Sequence, residues 1–97
     1  MKYTFHPDAE AEFKEAIDYY EQRRYGLGYD FSMEVYSAIR RIIQNPKAWT
    51  KLEDNLRRCL TERFPYGVIY AQEDDEIYIL AVMNLRRNPD YWKDRIG

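Results

Sequence analysis

The sequence predicts an α+β domain, in which a helix hairpin packs on one face of an antiparallel sheet in the order β-α-α-β-β-β. Two segments with apolar residues at helical spacing come early in the chain, within residues 7–45. Three apolar runs of strand length follow between residues 56 and 84, separated only by short turn signals. A chain of 97 residues is long enough for one domain, spanning residues 1–97, and too short for two.

A short strand and a first helix are predicted at the start. Residues Lys2 to Phe5 alternate between polar and apolar and therefore predict a strand. Pro7 at a first helical position, with acidic residues in the first turn, predicts a helix start, although His6 is not a preferred capping residue. The apolar stripe of this helix is Ala9, Phe13, Ile17 and Tyr20, and the helix is expected to stop at Gly26.

A second helix is predicted to follow at once. Its apolar stripe comprises Phe31, Val35, Ala38, Ile39 and Ile42, and Asn45-Pro46 ends it. Because the link between the two helices is short, they should form an antiparallel hairpin. Residues 47–55 are expected to be a loop that carries Trp49.

The second half of the chain predicts a three-stranded meander and a tail. The strands are residues 56–64, 67–72 and 76–84, with turns at Pro65-Tyr66-Gly67 and at Glu73-Asp74-Asp75. The segment Ile77 to Met83 is almost wholly apolar, which predicts a strand covered on both faces. Residues 88–95 are predicted to form a short C-terminal helix.

Composition excludes several classes of protein. A single cysteine, Cys59, cannot form an internal disulfide, and with His6 as the one histidine a structural zinc site is not expected. Four adjacent carboxylates on a turn do not converge on a metal, so we expect no metal and no cofactor. The chain has no signal peptide pattern and no apolar membrane span, which predicts a cytoplasmic protein.

Charge is distributed unevenly along the chain. The net charge is −2, yet residues 40–63 hold seven basic and three acidic residues, and residues 84–97 hold four basic and two acidic residues. A dedicated nucleic-acid binder tends to be basic overall, so the sequence pI of about 5.4 argues against one. The basic segments still leave binding to a nucleic acid open as an alternative.

Several segments together resemble the RelE/ParE superfamily of toxins from type II toxin–antitoxin modules, often called plasmid stabilisation proteins. They are the helix opening HPDAEAEFKEAIDYYE, the hairpin ERFPYGVIY and the ending ILAVMNLRRNPDYWKDR. The resemblance covers nearly the whole chain. It implies one of two activities on one fold: RelE-like members cut messenger RNA in the ribosomal decoding site, whereas ParE-like members inhibit DNA gyrase and have no known catalytic residues.

The RelE-like alternative needs cations around the scissile phosphate and a proton donor. By resemblance, the residues that would act are Arg57, Arg58, Arg63, Arg86 and Tyr91. Two positions depart from the RelE pattern. Trp92 appears where a tyrosine is expected, and an indole transfers no proton near neutral pH. Gly67 stands where RelE-like proteins carry an arginine.

These departures favour the ParE-like alternative, in which the protein binds gyrase and performs no chemistry. The target-contacting residues would then be Arg86, Arg87, Tyr91 and Trp92. The resemblance also implies a cognate antitoxin that folds on contact and forms a hetero-oligomer with the toxin. The residues expected to contact it are Tyr19, Tyr20, Tyr25, Tyr29 and Tyr36. A third alternative is a non-toxic interaction module with the same fold.

Overall fold

The computed structural model of the chain describes residues 1–96. Two helices cover one face of a five-stranded sheet, which confirms the predicted α+β class. The strands are β1 (Lys2–Phe5), β2 (Thr50–Glu53), β3 (Leu56–Leu60), β4 (Tyr66–Glu73) and β5 (Glu76–Asn84). The helices are α1 (Pro7–Arg23) and α2 (Leu27–Gln44), and a single 3-10 turn, Lys93–Arg95, lies in the C-terminal tail.

The sheet has the order β1-β5-β4-β3-β2, and two of its features differ from the prediction. The predicted loop over residues 47–55 contains strand β2, which forms a hairpin with β3. All four residues of β2 are exposed, so the strand has no apolar alternation to reveal it. Strand β1 runs parallel to β5, which makes the sheet mixed rather than wholly antiparallel.

The turn between β3 and β4 also differs, because the predicted turn residues Tyr66 and Gly67 belong to β4. The chain reverses over residues 61–65 instead. The Thr61 hydroxyl donates to the Phe64 carbonyl at 2.7 Å, and the Thr61 N–H donates to the Tyr66 carbonyl at 3.0 Å. The Tyr66 side chain is 8% exposed, since it packs beneath the helices.

Both helix starts depend on side chains that satisfy backbone N–H groups. His6 caps α1 through its Nδ1, which accepts from the Asp8 N–H at 3.0 Å. The Glu21 carboxylate of α1 accepts from Gly26 and Gly28 at the start of α2. A Cβ on Gly28 would lie 2.5 Å from the Ile17 carbonyl oxygen, so glycine permits the close approach of the two helices.

The sheet is covered on both faces, as the apolar run in β5 predicted. The helices bury one face, where the core includes Phe13, Phe31, Val35, Ile39, Tyr70 and Ile79. The C-terminal tail buries the second face, where Trp92 and Tyr91 pack on Leu56, Ile69, Leu80, Ala81 and Met83. The predicted helix over residues 88–95 is replaced by turns and the 3-10 turn Lys93–Arg95.

None of the helices within residues 1–96 combines the length and the apolar character that crossing a lipid bilayer requires.

Candidate functional site

The cations of the RelE-like alternative lie apart. Arg57 and Arg58 are adjacent in β3 and therefore point to opposite faces of the sheet. The Nη1 of Arg57 donates to the Trp49 carbonyl at 2.8 Å, which holds Arg57 against the segment between α2 and β2. Arg63 lies on the loop after β3, where its Nε is 2.8 Å from the Glu34 carboxylate. Arg57, Arg58 and Arg63 line three different clefts.

Tyr91 is poorly suited to proton transfer. Its hydroxyl is buried and has no hydrogen-bond partner among residues 1–96. Burial raises the pKa of the Tyr91 hydroxyl strongly, and the nearby Glu12 carboxylate raises this pKa further. A phenol with so high a pKa is a weaker acid than an ordinary tyrosine. Arg86 lines a fourth cleft, so the five residues do not assemble one catalytic centre.

A carboxylate on α1 fastens the tail to the edge of β5. Glu12 and Arg95 form a two-pronged ion pair, with nitrogen–oxygen distances of 3.0 and 2.8 Å. Glu12 also accepts from the Val82 N–H at 3.2 Å, and Arg95 donates to the Leu80 carbonyl at 2.9 Å. Past the end of β1, the pair therefore forms the hydrogen bonds to the edge of β5 that a neighbouring strand would otherwise form. The hydrogen bond with Glu12 raises the pKa of Arg95, which therefore stays charged.

The four predicted target contacts differ in accessibility. Arg86 is exposed, and Arg87 is exposed although its guanidinium lies 4.0 Å above the Tyr91 ring and 3.9 Å from Glu12. Tyr91 is partly buried, and Trp92 is only 2% exposed. Burial of Trp92 leaves Arg86 and Arg87 as the members of this set that a partner can reach without displacing the tail.

The five predicted antitoxin contacts fall into separate groups. Tyr25 and Tyr29, at the junction of the helices, are 95% and 66% exposed. Tyr36 packs edge-on against Phe13 at 5.4 Å between ring centres. Tyr20 belongs partly to the core, whereas the adjacent Tyr19 is 52% exposed. The structure therefore brings Tyr19 and Tyr20 together and leaves the other three elsewhere on the hairpin.

Tyr19 and Tyr20 form one wall of a cleft of about 390 Å³, here called the tyrosine–arginine groove. It lies where the end of α1 meets the end of β5. Its lining residues are Tyr19, Tyr20, Arg23, Leu27, Pro65, Tyr66, Asn84 and Arg86.

The groove combines aromatic rings with available cations. Neither Arg23 nor Arg86 has a carboxylate within 4.0 Å in the part of the chain that the structure describes. The Arg23 guanidinium lies 5.0 Å from the centre of the Tyr19 ring. Burial raises the pKa of the Tyr20 and Tyr66 hydroxyls, which remain protonated and able to donate. The groove suits a partner that carries both apolar and acidic groups.

Sequence reasoning missed Arg23, Tyr66 and Asn84 as members of this groove. They come from three distant parts of the chain, which only the folded structure brings together. A signal was present for Arg23, because it follows the Tyr19-Tyr20 pair by one helical turn. Tyr66 was hidden by its assignment to a turn.

The remaining reactive groups have structural roles. Cys59 is 1% exposed, and burial raises the pKa of its thiol, so it is not an activated nucleophile. Residues Glu73 to Glu76 form the exposed hairpin between β4 and β5. No group of three or more potential metal ligands was found within residues 1–96.

A family comparison identifies the fold and its functional class. Residues 3–89 match the family model described as the ParE toxin of type II toxin–antitoxin systems, parDE. The chain belongs to the ParE toxin family. The matched region contains both helices and all five strands except Lys2 of β1, and it ends before Tyr91 and Trp92.

A solved structure agrees with this ParE family membership at the level of the fold. The match is a chain from a chromosomal ParDE toxin–antitoxin system of P. aeruginosa, with a TM-score of 0.72 and 18% sequence identity. The alignment covers 89% of the present chain and 97% of the other. No curated protein matches the sequence.

Proposed function

We propose that this ParE-family protein is a toxin that binds and inhibits DNA gyrase and performs no chemistry of its own. The observation that carries this proposal is the dispersal of the candidate catalytic residues. Arg57, Arg58, Arg63 and Arg86 line four separate clefts, and the Tyr91 hydroxyl is buried with a raised pKa. Binding requires no acid–base pair, so this arrangement is compatible with inhibition by contact.

The proposed target contact is the exposed arginine pair at the end of β5. Arg86 lines the tyrosine–arginine groove, and Arg87 lines the adjoining cleft at the same end of the sheet. Arginine is favoured at the centre of protein interfaces, because its planar group stacks on rings and forms several hydrogen bonds. The toxin would act on gyrase in the cytoplasm.

Neutralisation is proposed to occur through a cognate antitoxin that folds as it binds. An amphipathic helix of the antitoxin would lie against the helix hairpin, where Tyr25 and Tyr29 are the most exposed aromatic residues. Exposed rings of this size bury a large apolar area at little cost in side-chain entropy. The product would be a hetero-oligomer that covers the toxin surface.

The target is tested by following DNA and transcripts in the same cells during brief expression of the protein. Inhibition of gyrase predicts DNA breaks and an induced DNA-damage response while transcripts stay intact. Rapid transcript cleavage at codon-defined positions would instead support the RelE-like ribonuclease. Normal growth with neither effect would support the non-toxic interaction module.

The partner is tested by co-expressing the product of the neighbouring reading frame. A small DNA-binding protein that co-purifies with the chain and restores growth would support the toxin–antitoxin assignment. Truncation of Tyr25 or Tyr29 to alanine should weaken this complex by about 1–2 kcal/mol, as expected for interface tyrosines. Unchanged affinity in both variants would move the antitoxin contact elsewhere.

A further inference from the structure

The outward face of α2 carries a stripe of large side chains, here called the outer stripe, that remains accessible to solvent. Tyr29, Met33 and Tyr36 are 66%, 42% and 41% exposed, and the exposed Arg40 continues the stripe towards the end of the helix. The opposite face of α2 is buried in the core. A helix with apolar residues on both faces is typical of one that packs against a neighbour on each side.

The spacing of the outer stripe is the same in both directions along the helix. Its members follow one another at four, three and four positions, so the stripe is symmetric about the point between residues 34 and 35. Two antiparallel copies of α2 that meet at this point would place Met33 against the partner's Tyr36 and Tyr29 against the partner's Arg40. Each contact would occur twice, as a two-fold symmetric interface requires.

Both contacts join groups that attract one another. The thioether of Met33 would pack on the ring of the partner's Tyr36, and sulfur–aromatic contacts of this kind are favourable. The guanidinium of Arg40 would lie over the ring of the partner's Tyr29. Arg40 has no carboxylate within 4.0 Å in the described part of the chain, so its charge is available to a second copy.

The residues beside the outer stripe allow the two helices to approach closely. The small side chains of Ser32 and Ser37 flank its centre, and in the same arrangement Ser32 would face the partner's Ser37. The two Arg40 residues would lie about 17 Å apart along the helix axis, at a rise of about 1.5 Å per residue. This separation is about two Debye lengths at physiological salt, so the repulsion between the two cations is weak.

We propose that the free protein forms a symmetric dimer through the outer stripe, with two antiparallel copies of α2 at its centre. A partner of unrelated sequence would need no match of the stripe with itself, so the pattern favours a second copy of this chain. None of the four residues lines the tyrosine–arginine groove, and the dimer does not depend on the proposed inhibition of gyrase. Tyr29 is also a proposed antitoxin contact, so an antitoxin would have to displace the second copy.

Sedimentation equilibrium of the purified chain, without an antitoxin, tests the dimer directly. A single helix pair buries less than the about 1,200 Å² of a standard interface, so the association should be weak. The average mass is therefore expected to rise with protein concentration, from 11.8 kDa towards twice that value. A mass of one chain at every concentration would assign the outer stripe to a partner of different sequence and would overturn the proposal.

A charge reversal tests the contact between Tyr29 and Arg40. Tyr29→Lys would place a cation against the partner's Arg40 and should weaken the dimer at least about tenfold. Addition of Arg40→Glu to this variant creates an opposite-charge pair across the interface and should restore much of the lost affinity. Gln22→Lys adds the same charge at an exposed position on α1 and should leave the affinity unchanged. Failure of the double variant to recover, with all variants folded by circular dichroism, would overturn the proposed contact.

Disulfide formation tests the antiparallel register independently of these charges. A mixture of the Tyr29→Cys and Arg40→Cys proteins should form disulfide-linked dimers that contain one chain of each. Either variant alone should form few, because equal positions would lie about 17 Å apart along the axis and a disulfide needs Cα atoms within about 7 Å. The native Cys59 is 1% exposed and should not interfere. Equal cross-linking in the mixture and in the separate samples would overturn the register.

Discussion

Replacement of Glu12 by glutamine should weaken the attachment of the C-terminal tail to the sheet and so lower the free energy of unfolding. Glutamine has nearly the same shape and can still accept from the Val82 N–H, but it carries no charge. The side chains of Glu12 and Arg95 are 13% and 11% exposed, so the arginine would be left almost buried without its main counter-ion. Asp8, at 3.9 Å, is exposed and compensates only weakly.

The size of the effect follows from this burial. Removing one partner of a buried ion pair destabilises a protein by about 3–5 kcal/mol. Because the substitution keeps one neutral hydrogen bond, we expect Glu12→Gln to lower the free energy of unfolding by about 3 kcal/mol. For a domain of this size, that corresponds to a fall of about 12–24 °C in Tm.

The assay is chemical and thermal unfolding followed by circular dichroism. Glu10→Gln is the matched control on the same helix, because Glu10 is exposed and lies 4.0 Å from Lys14; its effect should stay within about 0.5 kcal/mol. Glu12→Gln and Arg95→Met should also be strongly non-additive, with a coupling energy of about 1.5 kcal/mol or more. A loss below about 1 kcal/mol for Glu12→Gln, or simple additivity with Arg95→Met, would refute this reasoning.

Three further predictions concern the hairpin and the proposed target contact. Glu34 accepts three N–H hydrogen bonds, and although burial raises its pKa, the bonds from its arginine partner outweigh this and lower the pKa below the ordinary 4.5. Glu34→Gln should therefore lower the free energy of unfolding by about 2 kcal/mol at neutral pH. Because protonation removes the charge of Glu34 in the wild type, the difference between the two proteins should shrink in unfolding measurements as the pH falls below 4.5. A difference that does not change with pH would contradict this prediction. Gly28→Ala should lower the free energy of unfolding by about 2–3 kcal/mol, because the new Cβ would lie 2.5 Å from the Ile17 carbonyl oxygen. A thermal melt equal to that of the wild type would instead show that the two helices can move apart without a loss of stability. Arg86→Met should reduce growth inhibition at least about tenfold in expression titrations, as expected for an interface arginine. Arg40→Met is the control and should leave growth inhibition unchanged. Equal toxicity of the two variants would exclude Arg86 as a target contact.

Local sequence patterns predicted the elements that bury an apolar stripe. Both helices lie where apolar periodicity placed them, because burial of one helix face imposes a period of 3.6 residues, and β5 lies where its apolar run placed it, because burial on both faces gives a continuous apolar segment. Strand β2 was missed because it is exposed on both faces and has no such period. The parallel pairing of β1 with β5 joins segments more than 70 residues apart in sequence, which no local pattern encodes.

The candidate site was only partly predictable. The sequence assigned Arg86 to a target contact and Tyr19 and Tyr20 to an antitoxin contact, whereas the structure places all three residues on one groove. The neighbouring Trp92 lies in the core of the second face instead. An aromatic residue in a polar tail has the same local signature in either position, because its burial depends on where the tail returns to the sheet.

The sequence by itself determined the α+β class, the helix hairpin, the meander and the resemblance to a toxin superfamily. The structural features among these depend on interactions between near neighbours in the chain. The tertiary structure decided which residues act together. It separated the five proposed catalytic residues, assembled the tyrosine–arginine groove from three distant segments, and joined Glu12 to Arg95 across 83 positions of sequence. Convergence of distant side chains is set by the packing of whole elements, and that packing appears in no single stretch of sequence.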